Sequence, residues 1–385
     1  MRVFKKTVKW VLMIIGLLVI TLYIFDYDYM LKALRTIYFQ GHTTAFLEDY
    51  NEFDNRTIET GAAQPWNQHK DYNSVQETET LISVHERLGT VAYLIIKNDS
   101  IWYEKYYEDY TKDSKSNSFS MAKSLISAML GKAIMQGKIN GLDQPVSDFY
   151  SEFSDDLAAN LTVGDLSSMA SGLNWDESYY SPFSITTRAY FYDDLETMML
   201  GVKVTDEPGQ SYKYLSGNTQ LLGMVLEKAT GETLTDYLST NFWKPLGAEN
   251  EAYWQIDSEE GGLEKAYCCI ASNARDFARF GKLYKDHGKW NGQQLLDSTF
   301  IAKSVKPRFE DSPQYGYGWW LLNRNNKKFF MMRGHLGQYV IVQPEDDIII
   351  VRLGHKNDKG PDPTISFGND ILTYIDEAYK MLSSQ

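Results

Sequence analysis

Apolar and polar positions divide the chain unevenly. Positions 7–25 are apolar apart from Lys9 and two threonines, a run just long enough for a helix to cross a bilayer. Arg2, Lys5, Lys6 and Lys9 sit at its start, and Asp26 and Asp28 follow it. That asymmetry directs the start to the cytoplasm and the rest of the chain outside. No small-x-small cleavage site follows; the sequence runs on through Tyr23-Ile24-Phe25-Asp26-Tyr27. An uncleaved anchor over residues 1–28 is expected, with the lipid bilayer held through residues 7–25.

Residues 29–75 are polar and aromatic-rich without a clear period, and are expected to be a connector. From about residue 90 the pattern sharpens. Segments 91–97 and 101–107 are β-prone and flank Asn98-Asp99-Ser100, which predicts a hairpin. Residues 120–136 predict a helix: Leu125, Ile126, Met129, Leu130, Ala133 and Ile134 recur at helical spacing and Gly137 ends it. Further helices are expected over 219–229, 233–240 and 274–284. Strands are expected over 317–322, 328–333, 338–343 and 348–353, with short polar links that favour antiparallel pairing. A helix over 371–382 closes the chain. The fold class is therefore α/β and two-lobed, an antiparallel sheet flanked by N- and C-terminal helices beside a mostly helical lobe. One domain is expected over 76–385, with its site in the cleft between lobes.

Composition removes several functions. The 27 Tyr, 18 Phe and 9 Trp supply a core that a disordered chain would lack. A net charge of -13, with no basic cluster beyond the extreme N-terminus, leaves nothing to displace counterions from phosphates, so no nucleic-acid partner is expected. The six histidines are scattered, and His85-Glu86 lacks a second histidine four residues after the first. No metal and no cofactor are expected. Side chains of sequence neighbours diverge, so Cys268 and Cys269 are expected to be two unlinked small residues in a buried strand.

One pattern carries chemistry. Ser120-Met121-Ala122-Lys123 is the only Ser-x-x-Lys in the chain. Positions i and i+3 share a helix face, so the lysine reaches the hydroxyl. A serine needs such a neighbouring base, and a lysine serves as one only when burial or other cations lower its pKa. A bare Ser-x-x-Lys is also what a serine N-cap and a surface lysine look like. Two later stretches change the balance: Pro208-Gly209-Gln210-Ser211-Tyr212-Lys213-Tyr214-Leu215-Ser216-Gly217-Asn218, and Gly334-His335-Leu336-Gly337-Gln338 at a strand start. A Gly-x-Ser-x-Gly elbow and a phosphate-binding glycine loop are both missing.

In this order and at these separations, the three motifs resemble the serine β-lactamase-like family. The nearest subgroup holds class C β-lactamases, family VIII esterases and 6-aminohexanoate-dimer hydrolases. The resemblance spans about residues 80–380 and implies a β-lactamase/transpeptidase-like fold. It implies an acylated nucleophile at Ser120, a base or proton shuttle at Lys123, and proton exchange through Tyr214. Backbone N–H groups of Ser120 and Gln338 would form the oxyanion hole, with His335, Gly337 and Ser216 beside the substrate. Tyr179 resembles a loop tyrosine of the dimer-hydrolase subgroup, with a packed aromatic as the competing assignment. The implied enzyme is a serine hydrolase of small ester, amide or peptide-like substrates. Its expected place is the bacterial cytoplasmic (inner) membrane, single-pass, with the catalytic domain extracytoplasmic.

Two departures matter. The usual Tyr-x-Asn is Tyr214-Leu215-Ser216, with Asn218 two residues late, and the usual Lys-Thr-Gly is His335-Leu336-Gly337. Both place β-lactam hydrolysis in question without touching acyl transfer. The rival readings are a non-catalytic penicillin-binding-like receptor or cell-wall sensor, and a D-Ala-type peptidase or β-lactamase.

Overall fold

The computed structural model describes residues 2–360 and 366–384. Helix α1 (Arg2–Ile24) is almost wholly exposed, and its apolar part, Val3–Ile24, is long enough to cross a membrane. The domain's longer helices are α2 (Glu79–Leu88), α3 (Ala122–Met135), α4 (Ser216–Thr230), α5 (Ala274–Lys285) and α6 (Asn369–Ser383).

The principal sheet uses β1 (Thr90–Lys97), β2 (Ser100–Tyr106), β3 (Trp320–Arg324), β4 (Lys327–Gly334), β5 (Gln338–Gln343) and β6 (Ile348–Gly354). Their spatial order is β3-β4-β5-β6-β1-β2, antiparallel throughout, and Asn67–Gln68 adds a short parallel edge to β2. Asn98 and Asp99 both lie at positive φ, the two-residue turn that suits the right-handed twist of a hairpin. The sheet is buried on both faces. Tyr93, Ile95, Ile341 and Ile350 pack in a core with Tyr374 and Ile375 of α6 and Leu81 of α2. Leu94, Ile96, Val342 and Ile349 share the opposite core with Phe277 and Phe280 of α5. Burial of both faces explains why Ile348-Ile349-Ile350-Val351 does not alternate.

Three local expectations are corrected. Helix α2, not expected, lies just upstream of the predicted hairpin; Thr78 caps it by accepting from Leu81 N, and Gly89 at φ 57° ends it. Second, Ser120 does not open the long helix. It sits in a 3-10 turn, Phe119–Met121, and α3 begins at Ala122. Third, the stretch 29–75 packs on the domain. Tyr29–Ala33 forms a helical turn that runs into a wider one, Leu34–Tyr38, and Tyr29, Ile37, Phe53 and Phe191 make a small core of their own. Asn55–Ile58 pairs antiparallel with Ala252–Gln255.

Candidate active site

Ser120 is placed by the short strand before it. Ser116–Asn117 pairs with Ile270–Ser272, and the Asn117 side chain accepts from Phe119 N at 2.8 Å. Asn117 Nδ2 donates in turn to buried Asp49 Oδ1 at 2.8 Å. Phe119 is held at φ 44°, a strained value for a bulky residue, immediately before the serine. Burial raises the Asp49 carboxyl to about 6, against hydrogen bonds from Tyr190 and Asn117.

Lys123, on the first turn of α3, is only 3% exposed. Its ammonium donates to Ser120 Oγ at 2.9 Å, to Ser216 Oγ at 3.2 Å and to the Tyr267 carbonyl at 2.8 Å. Burial lowers its pKa to about 8, and the Glu177 carboxylate opposes that shift. The Tyr214 ring faces the ammonium, 5.2 Å from its centroid, and the phenol interacts with the Ser120 side chain. Burial, then Glu177, raises the Tyr214 phenol far above its ordinary value, so it stays protonated at neutral pH.

Glu177 is the residue that sequence reasoning missed. It accepts from Ser216 N and Ser216 Oγ, each at 2.6 Å, and from Tyr179 OH at 2.5 Å. Its only sequence signal was an acid inside an aromatic loop, Trp175-Asp176-Glu177-Ser178-Tyr179-Tyr180. Tyr179 is 41% exposed and stacks on the His335 ring at 5.6 Å, so it stands on the site rim and not in the packed interior. Asn218 turns away: its side chain bonds Ser171 and the Met169 sulfur.

The third motif forms a one-turn link between β4 and β5, with Leu336 at φ 60° and Gly337 at φ 86°. A Cβ on Gly337 would collide with the Arg352 guanidinium. The Gln338 side chain is fully buried and donates to the carbonyls of His335 at 3.1 Å and Gly354 at 2.7 Å. It therefore fixes the turn and leaves only its backbone for the cleft. His335 is pushed down to about 4 by burial and then by Lys359, and is neutral at pH 7. Arg333 lies over the Trp320 ring and donates to the Ser366 carbonyl.

A cavity of about 150 Å³ opens beside Ser120, with Tyr179, Tyr190, Tyr267, Cys268 and His335 in its walls. The cysteines correct an expectation: Cys268 and Cys269 form a disulfide. Side chains of neighbours diverge on extended backbone, but Cys269 sits at φ 75°, in the left-handed region. Both are buried, as expected, but they lie in the bend just before the strand Ile270–Ser272 and not in a strand. Among the described residues no group of three or more His, Cys, Asp or Glu could hold a metal ion.

A buried Ser-x-x-Lys with a tyrosine over its lysine agrees with what a family comparison finds: the Beta-lactamase family model matches residues 71–373. The chain belongs to the β-lactamase family. It is a serine hydrolase of that family. The 6-aminohexanoate-dimer hydrolase of Paenarthrobacter ureafaciens is 26% identical over 305 residues, covering 72% of this chain and 74% of that one. A Bacillus anthracis protein, provisionally assigned as a 6-aminohexanoate-dimer hydrolase, superposes with a TM-score of 0.69 at 19% identity, over 86% of this chain and 91% of that one. EstCE1, a hydrolase with promiscuous acyltransferase activity, gives a TM-score of 0.61 at 17% identity, over 78% and 99%. The last two likenesses concern the fold.

Proposed function

We propose that this β-lactamase-family protein is a membrane-anchored hydrolase of uncharged esters or amides, working through an acyl-enzyme on Ser120 outside the cytoplasmic membrane. The observation that carries the reading is Lys123 Nζ at 2.9 Å from Ser120 Oγ with its pKa lowered to about 8. An ammonium has three N–H groups, and Lys123 has three partners. Loss of one proton leaves two N–H groups for Ser216 and Tyr267, and a lone pair facing Ser120. Ser120 Oγ then attacks the substrate carbonyl carbon while its proton passes to Lys123 Nζ. Tyr214, protonated and in contact with Ser120, hands a proton to the leaving group as the carbonyl reforms. Water, deprotonated by the same pair, releases the acid and regenerates Ser120. Backbone N–H groups of Ser120 and Gln338 would stabilise the oxyanion. The name of the Paenarthrobacter relative, a 6-aminohexanoate-dimer hydrolase, supports hydrolytic turnover, and the exposed apolar α1 supports anchoring.

The test is reaction of the purified full chain with a fluorophosphonate, with the adduct mapped by mass spectrometry. Labelling at Ser120, lost in Ser120→Ala, together with turnover of a short-chain nitrophenyl ester, is expected. Absence of both refutes the reading. A permanent acyl adduct without turnover would instead indicate a receptor.

A further inference from the structure

The cavity beside Ser120 has a wall from an unexpected source. Ala33, Ile37, Tyr38 and Thr43 to Ala45 line it. These residues lie before residue 71, where the family match begins, and directly after the apolar helix. Ala33 is less than about 30 Å of chain from Ile24, the end of α1. The opposite wall is tied to the same segment: Tyr29 OH donates to the Pro182 carbonyl at 2.8 Å, and the Tyr27 and Phe183 rings meet edge to face at 5.9 Å. Pro182 follows Glu177 and Tyr179 in one loop. The lining is mainly apolar and aromatic. Around it stand solvent-exposed rings, Tyr180 at 62%, Phe183 at 71% and Phe39 at 75%. Tyrosine collects at the membrane–water interface, and exposed phenylalanine inserts just below it. A cavity of this size holds about six carbons, as an apolar cavity that binds benzene does.

We infer that the segment joining α1 to the domain is the acyl-side wall of the active site, and that the substrate is a bilayer-resident amphiphile carrying an apolar acyl group of about six carbons. This rests on the hydrolase reading above and adds the substrate class. The membrane helix then holds the pocket at the surface where such an acyl group is found. Ile37, 3% exposed and in the pocket lining, is the specificity-determining residue of the segment.

The experiment uses the full chain reconstituted in phosphatidylglycerol vesicles. The ratio of kcat/KM for 4-nitrophenyl hexanoate over 4-nitrophenyl acetate is measured first. The wild type is expected to favour hexanoate at least about tenfold, since each methylene buried in an apolar pocket adds to discrimination. Ile37→Trp and Ala33→Phe, which fill the cavity from two successive turns, should each reduce that ratio about tenfold or more. A glycerolipid bearing one hexanoyl ester should be cleaved faster by about tenfold when it shares the enzyme's vesicle than when it is supplied in separate vesicles. A ratio unchanged in either variant that retains the wild-type circular dichroism overturns the wall. Equal cleavage from shared and separate vesicles overturns the bilayer source. If Ser120 is labelled by fluorophosphonate but hexanoate is not preferred, the inference alone falls. If Ser120 is not labelled and no ester turns over, the hydrolase reading falls and takes the inference with it.

Discussion

Ser216 gives both its backbone N–H and its hydroxyl to the Glu177 carboxylate, each at 2.6 Å. The hydroxyl proton is thereby committed to Glu177, so Ser216 Oγ presents a lone pair to Lys123 at 3.2 Å. This pairing accounts for the missing asparagine of the second motif. The Ser216 oxygen, its proton held by the carboxylate, accepts from the ammonium as an amide oxygen would. Asn218, the residue that invites substitution for it in the sequence, is spent on Ser171 and Met169.

Glu177 is a positioning residue, and its charge has a measurable consequence. It raises the Lys123 pKa against the larger effect of burial, which sets the group at about 8. Catalysis needs the neutral amine, so kcat/KM should climb with pH and level off above about 8. Glu177→Gln keeps the shape and removes the charge. The midpoint of that climb should then move to lower pH, even as the plateau falls. A pH profile with an unmoved midpoint would reduce Glu177 to packing.

Lys123 also links pH to stability. Its folded pKa of about 8 lies below the ordinary lysine value of 10.5, so the unfolded chain holds the proton more tightly. Stability from this group therefore rises between about pH 8 and 10.5, and below pH 8 the full cost of burying the ammonium remains. Lys123→Met, similar in volume and uncharged, removes that cost but leaves the Tyr267 carbonyl without its lysine donor. The difference in melting temperature between Lys123→Met and wild type should be most favourable to the variant at pH 7. It should shrink as pH rises toward 10.5. Thermal melts at four pH values check the slope, and a difference flat in pH would mean that Lys123 is not the titrating group.

The topology of the chain gives a separate test. In the proposed orientation, the basic start stays in the cytoplasm and the exposed apolar α1 leaves the domain outside it. A C-terminal reporter that works only after export should be active, and the full-length chain should fractionate with membranes. Activity of a cytosolic reporter in the same position would reverse the orientation.

The sheet was legible because its strands are apolar and separated by turn residues; Gln338–Gln343 begins and ends where its pattern does. Lys123 was within reach because Ser-x-x-Lys spacing puts it beside Ser120, whereas Tyr214 was reached only through the resemblance of its stretch to the family's second motif. Glu177 was not, since its role depends on a loop conformation and on Ser216, far off in sequence. Helix α2 was within reach: Leu81, Val84 and Leu88 recur at helical spacing behind a threonine cap. The pocket wall from Ala33 to Ala45 was beyond reach, because two short turns of irregular helix leave no period. The cysteine pair was misjudged because a positive φ at Cys269 has no signature in a non-glycine residue.

The last prediction concerns substrate charge. His335 stands where relatives with Lys-Thr-Gly carry an ammonium, and at pH 7 it is neutral, held down to about 4 by burial and Lys359. Arg333 is held aside from that position: its guanidinium lies over the Trp320 ring at 4.7 Å and donates to the Ser366 carbonyl. Lys359, whose charge acts on His335, donates to Tyr180 OH at 3.1 Å on the rim. A hydrogen bond to a charged group contributes roughly 1.5–3 kcal/mol, so a carboxylate-bearing substrate should be disfavoured by about ten- to a hundredfold. The wild type should therefore prefer a short-chain nitrophenyl ester to a chromogenic cephalosporin in kcat/KM. His335→Lys should move the ratio toward the cephalosporin, although Lys359 will oppose a second cation and make the gain smaller at low ionic strength than at high. If the wild type already prefers the cephalosporin, and Lys359→Ala removes that preference, then the carboxylate is bound at the rim by Lys359 and the neutral-substrate reading is wrong.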